Sequence, residues 1–246
     1  MRPAAQRREA EKGKIREEGL MTSPGFQPQT FAFLKDLGGN NSKTWFEANK
    51  TSYQRYVKKP ADALRSALEQ GLAALTGREI VSKQFRINRD LRFSKDKTPY
   101  NTHIRMAFWP KGAVFEGKDA QPPSFFLSVE ADHIRVGTGC MVFAKPVLGA
   151  WLKAIETGDG DDIAGLLSAL KAGGFEVSSP DLANVPKGFP RDHPQGELAR
   201  HKGLAVWRTL EDTGLILGEK AEASLLKTWK PALPLWKWLA ALQEKA

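Results

Sequence analysis

Apolar positions recur at two spacings along this chain, three to four residues apart toward both ends and every second residue through the middle. From Thr30, a capping residue type, Phe31, Phe33, Leu34 and Leu37 follow helical spacing until Gly38-Gly39 ends the run. A second helix is predicted from Ser42 through Trp45, Phe46, Asn49 and Tyr53. A third opens at Pro60, and its Leu64, Ala67, Leu68, Gly71, Leu72 and Leu75 make one apolar stripe before Gly77. The period then drops to two. Phe85, Ile87, Leu91 and Phe93 share one face of a strand predicted over 84–93, and Ile104, Met106 and Phe108 one face of another over 103–109. Residues 124–129 and 134–137, separated by Glu130-Ala131-Asp132-His133, read as a hairpin. Helical spacing returns in Val147, Leu148, Trp151, Leu152 and Ile155, and again in Ile163, Leu166, Leu167 and Leu170. A Gly- and Pro-rich loop over 179–194 leads to a short helix over 197–202, and Trp229, Leu235, Trp236, Trp238, Leu239 and Leu242 mark a carboxyl-terminal helix packed on the body. The pattern predicts a single α+β domain over 25–246, a small, mostly antiparallel central sheet flanked by helices.

Residues 1–24 break from this pattern, mixing charges of both signs with few large apolar groups, and read as a disordered tail. Met21 reads as an alternative start. The 246-residue chain as a whole is 41% hydrophobic, ample for a core. With no apolar run long enough to span a bilayer and no secretory leader, the expected location is the cytoplasm, with no membrane partner.

Charge changes the picture in one place. The formal net charge is +9, and residues 83–105 carry seven Lys or Arg against Asp90 and Asp96, a local net of +5. In the predicted strand Arg86, Asn88, Asp90 and Arg92 share the face opposite the apolar side, which Arg89 interrupts. Two readings stay open there, a bulge near Arg89-Asp90 or two strand pieces joined by a turn. On a straight strand Arg86 and Arg92 would lie about 20 Å apart, too far to grip one phosphate. The loop that follows would have to help: Ser94, Lys95, Lys97 and Thr98 supply hydroxyls and ammonium groups, and Pro99 fixes the exit before Tyr100. Arginine suits two-point recognition of phosphate or carboxylate, and Asp90 could orient a guanidinium or serve as an acid/base. The candidate ligand-binding set is therefore Arg86, Asn88, Arg89, Asp90, Arg92, Ser94, Lys95, Lys97 and Tyr100, for an acidic or phosphorylated small molecule. The competing reading is a solvated strand face whose Arg–Asp pairs are each worth less than about 1 kcal/mol.

WFEANKTSYQRYV, FRINRDLRFSKDKTPYNTH and VPKGFPRDHPQGELARHKG resemble the successive motifs of the domain of unknown function 2461 family, over a span from about Phe26 to Leu242. The resemblance implies a single cytosolic α+β domain and brings no activity with it. The family's motif residues fall on Trp45, Asn49, Arg86, Arg89, Asp90, Arg92, Phe93, Ser94, Lys95, Asp96, Lys97, Pro99 and Tyr100.

Other chemistry is weaker. His193, beside Asp192, joins Asp90 as a candidate catalytic acid/base, although turn and capping roles suit it better. Lys187, Arg191, Arg200 and Lys202 form a second basic motif that could fold over the polar row and complete one pocket with it. The four histidines lack metal-ligand spacing, and Gly137-Thr138-Gly139 lacks the third glycine of a dinucleotide fingerprint and reads as a strand terminus, so no metal and no cofactor are expected. The single cysteine, Cys140, reads as a small buried hydrophobe. Seven tryptophans could include stacking platforms, which keeps nucleic acid as a less favoured partner, in a non-catalytic nucleic-acid or protein interaction module using the same surface.

Overall fold

The computed structural model of the chain describes residues 25–92, 94–116 and 120–246; the predicted tail and Phe93 lie outside them. Helix α1 (Pro28–Gly39) starts two residues ahead of the expected cap, because Gln27 is the cap and Thr30 the third helical residue of a capping box. The Thr30 hydroxyl also donates to the Tyr56 carbonyl, tying α1 to the next helical segment. Ser42 caps α2 (Lys43–Ala48) as predicted, its Oγ accepting from Trp45 N at 3.2 Å. Helix α3 (Lys50–Tyr53) runs through a π turn (Gln54–Lys58) into α4 (Lys59–Thr76), which Gly77 closes in the left-handed conformation at φ 72°.

Strands β1 (Ile80–Gln84), β2 (Ile104–Pro110), β3 (Ser124–Val129) and β4 (Ile134–Cys140) follow, then α5 (Lys145–Ala154), α6 (Gly160–Ala172), the short β5 (Glu176–Val177), α7 (Gly196–Ala199) and β6 (Leu204–Leu210). Helices α8 (Ala221–Trp229) and α9 (Leu233–Lys245) end the chain. The six strands form one antiparallel sheet in the order β1-β2-β3-β4-β6-β5. Gly137-Thr138-Gly139, read as a strand terminus, forms the carboxyl-terminal part of β4 up to its penultimate residue.

Register explains which face is covered. Ile104, Met106 and Phe108 of β2 pair with Val129, Leu127 and Phe125 of β3, and all six are buried in one cluster with α1, α4 and α8. Farther along the same face, Cys140, Leu204 and Val206 join Trp151, Leu235 and Leu239 beneath α5 and α9. Helix α4 packs on α8 closely enough that a Cβ on Gly71 would meet Leu226 at 2.5 Å. The opposite face presents the alternate residues, one row of which crosses the sheet from Lys83 through Ala107, Phe126 and Gly137 to Trp207.

The strand expected over 84–93 is not a strand. β1 ends at Gln84, and Phe85, at the last rung donating to the Arg105 carbonyl, is already exposed. Residues 85–103 form a long excursion between β1 and β2, its two arms held by Arg89 N to Pro99 O (2.9 Å), Asn101 N to Ile87 O (2.7 Å) and the Asn88–Tyr100 bridge. Proline 99 supplies no N–H, so the ladder cannot extend regularly, and the two-pieces-and-turn alternative describes the backbone better than a single pleated face.

Candidate functional site

Arg89, the residue that interrupts the apolar pattern, holds the excursion together. Its guanidinium donates to the Asp96 carboxylate, to Thr98 Oγ1, to the Thr98 carbonyl (3.4 Å) and to Ser94 Oγ (3.3 Å). Asp96 Oδ1 also accepts from Thr98 N at 2.9 Å and from Thr98 Oγ1 at 2.8 Å, and these bonds with the Arg89 charge hold its pKa down at about 2. Lys97 turns its ammonium back onto the Leu91 carbonyl at 3.1 Å. Asp90 accepts from Arg92 through Nε (3.0 Å), Nη2 (2.7 Å) and the backbone N (3.2 Å), which depresses its pKa strongly. Most of the charge between Arg89 and Thr98 is thus spent on the loop's own conformation, and Lys95 stands exposed at its tip.

Tyr100 lies inward. It is 6% exposed, its ring stacks on Phe46 with centroids 4.0 Å apart, and Asn41 brackets its backbone by accepting from Tyr100 N (3.1 Å) and donating to Tyr100 O (2.9 Å). This fixes the returning arm against α2 and presents Arg86 and Asn88 outward.

Arg86 and Asn88 border three adjoining cavities. The largest, about 910 Å³, lies between the excursion and the uncovered sheet face. Lys83, Arg86, Arg89 and Arg105 line it on the basic side with Asp90 and His103. Lys83, Arg86 and Arg105 are exposed and make no ion pair within 4 Å among the described residues, although the Arg86 charge is near enough to Asp90 to help lower its pKa and Lys83 sits over the Phe85 ring. Burial, with the charges of Arg105 and Arg89 adding to it, pushes His103 below the usual histidine pKa, although Glu130 Oε2 at 3.6 Å works the other way. Glu130 is itself held by the Ser128 hydroxyl at 2.7 Å.

The far side of the same cavity is apolar, with Phe126, Met141 and Trp207, and two further rings, Phe85 and Phe115, stand on the basic side, where the Lys83 ammonium lies 5.5 Å from the Phe85 ring. Trp207 lies flat because its neighbour in register is Gly137; a Cβ there would sit 2.5 Å from the indole. The ring stacks on Phe126 at 5.5 Å and 26°, and Arg135 sits over it at 5.2 Å.

The second basic motif lines a different cavity. Arg191, His193 and Arg200 surround a space that shares no lining residue with the one beside Arg86, and Lys187 is exposed. His193 Nδ1 accepts from Gln195 N at 3.1 Å, a turn-capping bond. Cys140 is buried, donates to the Gln121 carbonyl at 2.7 Å, and has its thiol pushed up to about 12 by burial. Among the described residues no cluster of three or more His, Cys, Asp or Glu could hold a metal ion, and no helix is long and apolar enough to cross a membrane.

Sequence reasoning kept the tryptophans, Trp207 among them, as stacking platforms but did not place Trp207, Phe126 or His103 beside the basic segment. Phe126 and Trp207 are legible in hindsight as the out-of-phase members of strands whose alternate residues face the core, and His103 follows directly on the Thr-Pro-Tyr-Asn-Thr exit of the basic loop.

These features define a single-domain α+β protein whose antiparallel sheet is covered by helices on one face and bears a basic, aromatic-walled cleft on the other. The model of the conserved hypothetical protein family DUF2461 matches residues 29–238, and the chain belongs to that family. No curated protein matches the sequence.

Proposed function

We propose that the protein binds a phosphorylated or otherwise acidic small molecule in the cleft beside Arg86. The observation that carries this reading is the convergence of Lys83, Arg86 and Arg105, none of them in an ion pair within 4 Å among the described residues, on one cavity of small-molecule size. Arg86 and Arg105 supply the planar donors suited to phosphate or carboxylate, and Lys83 a point charge. Arg89, Asp96 and Thr98 position the arm that carries Arg86 rather than meeting the ligand. Arg92, Lys95 and Lys97, which composition alone would place in the site, have secondary roles at most, since Arg92 and Lys97 are engaged within the loop.

Thermal denaturation against a panel of phosphate esters, carboxylates and short oligonucleotides tests it. A ligand at a hundred times its dissociation constant adds about 2.7 kcal/mol, a rise of roughly 5–10 °C for a domain of this size. The expected result is such a rise with a small anion in the parent protein and its loss in the Arg86→Gln, Arg105→Gln double variant. A rise that survives the double substitution places the ligand elsewhere. Response to oligonucleotides alone, collapsing steeply with added salt, favours a nucleic-acid interaction module instead.

A further inference from the structure

We infer that the ligand of this cleft carries a planar ring as well as its anionic group, and that its class is the nucleoside monophosphate; this rests on the anion-site reading above and adds the other half of the molecule. The cleft is divided. Its cations, Lys83, Arg86 and Arg105, stand on the β1–β2 side, while Phe126, Trp207 and Met141 form the wall toward β3, β4 and β6. A phosphate group alone would fill a small part of 910 Å³, whereas cavities of roughly 300–1,000 Å³ are typical for organic ligands of this size class.

The sheet itself sets the distance between the two halves. Lys83 and Phe126 occupy the same transverse row two strands apart, about 10 Å at the usual strand spacing. That separation calls for a spacer of pentose size between phosphate and ring. The apolar wall is also built rather than incidental. Ala107 and Gly137 alternate with Phe126 and Trp207 in the row, so the small residues leave room for the indole to lie down on Phe126, and Arg135 pins it there. Phe85, 39% exposed and tilted 60° from Phe115 at 6.4 Å, faces the same space from the excursion. A preformed aromatic surface of this kind gains contact with a base at little ordering cost.

A single nucleotide fits better than a strand. Lys83, Arg86 and Arg105 cluster at the β1–β2 end of the cleft, the cation on the far side, Arg135, is engaged over the Trp207 ring, and a phosphate monoester near two negative charges matches three cations offset by nearby Asp90.

The test is calorimetric titration of the full chain with adenosine 5′-monophosphate, cytidine 5′-monophosphate, ribose 5-phosphate, inorganic phosphate and a thymidine oligonucleotide. At least one nucleotide is expected to bind at least tenfold more tightly than ribose 5-phosphate, the advantage a stacked base gives. Trp207→Leu should weaken the nucleotide about tenfold and leave ribose 5-phosphate unchanged; Phe85→Ala, at an exposed position, should act in the same direction without endangering the fold. Should Trp207→Leu fail to fold, saturation-transfer NMR on the unaltered protein decides, with transfer strongest to the base protons supporting the inference and transfer to ribose alone overturning it. Ribose 5-phosphate binding as tightly as the nucleotides overturns the ring while leaving the anion site intact. Absence of binding by every phosphate compound removes both. An oligonucleotide that binds more tightly than any mononucleotide, with a salt slope of several phosphates, overturns the class in favour of a single strand.

Discussion

Gly137→Ala isolates the packing on which the aromatic wall depends. The added Cβ would stand 2.5, 2.6 and 2.9 Å from three ring atoms of Trp207, against ordinary contacts near 3.5–4.0 Å, so the indole must move by about 1 Å. It cannot do so freely, because Phe126 stacks on it and Arg135 sits over it. Overpacking of this kind costs about 1–3 kcal/mol, and the loss of glycine's unfolded-state freedom returns about 0.4–1 kcal/mol. The expected net loss is about 0.5–2 kcal/mol, or roughly 1–8 °C in melting temperature. Thermal and urea denaturation of four proteins measures it: parent, Gly137→Ala, Trp207→Leu and the double variant. With leucine at 207 the clash is gone and only the glycine term remains, so Gly137→Ala becomes neutral or stabilising in that background, a coupling of about 1–3 kcal/mol. Gly149→Ala serves as a control, since a Cβ there meets nothing within 4 Å inside α5 and helix propensity alone should raise stability by up to about 1 kcal/mol. The reasoning is refuted if Gly137→Ala costs the same with tryptophan or leucine at 207, or if it stabilises the parent.

Two pH effects follow from side chains whose titration the fold shifts. His103 and His201 are both pushed below the usual histidine value, chiefly by burial, so the unfolded chain binds protons that the folded chain does not. Stability should therefore fall as pH drops below about 6.5, the unfolded histidine value, and denaturation midpoints measured between pH 7.5 and 5.5 should change less in a His103→Gln, His201→Gln variant. Asp96 runs the opposite way, with a folded pKa of about 2, so its contacts to Arg89 and Thr98 persist below pH 4 and are lost as pH falls toward 2. An NMR carboxyl titration should place its midpoint near that value in the parent and near the ordinary aspartate value of about 3.9 in Arg89→Gln, Thr98→Val.

The helical and hairpin periods were legible because their apolar positions are the buried ones: Leu64, Leu68 and Leu72 on α4, and Phe125, Leu127 and Val129 against Ile134 and Val136 in the β3–β4 hairpin. The family was legible too, since its motif residues are contiguous. β6 was missed because Leu204, Ala205 and Val206 are buried on both faces of the sheet, which erases the alternation that marks a half-buried strand. α8 was missed because Ala221, Ala223 and Ser224 leave its stripe thin, and close approach to α4 at Gly71, rather than bulk, is what packs it. The excursion over 85–103 was misread as pleated because Phe85, Ile87 and Leu91 alternate by chance of composition; Ile87 packs on the core while Phe85 faces the cleft. The same residues that broke the pattern, Arg89 and Pro99, carried the true signal, one as the knot of the loop and the other as the end of the ladder.

The chemistry of the basic segment is divided for a geometric reason. The Arg89 guanidinium turns Nη1 and Nη2 onto Asp96, Thr98 and Ser94 and so is engaged within the loop, whereas the Arg86 side chain donates no hydrogen bond among the described residues and feels only the nearby Asp90 charge, its backbone carbonyl accepting from Asn101 Nδ2 at 3.3 Å. The arm bearing Arg86 is tied to the returning arm by Arg89 N to Pro99 O and the Asn88–Tyr100 bridge, and Tyr100 in turn stacks on Phe46. The dense charge of FRINRDLRFSKDKTPY is therefore divided in space: Asp96, Thr98 and Ser94 engage Arg89 and Asp90 engages Arg92 within the loop, while Arg86 at its base borders the cleft, opposite aromatic residues supplied by strands far away in sequence.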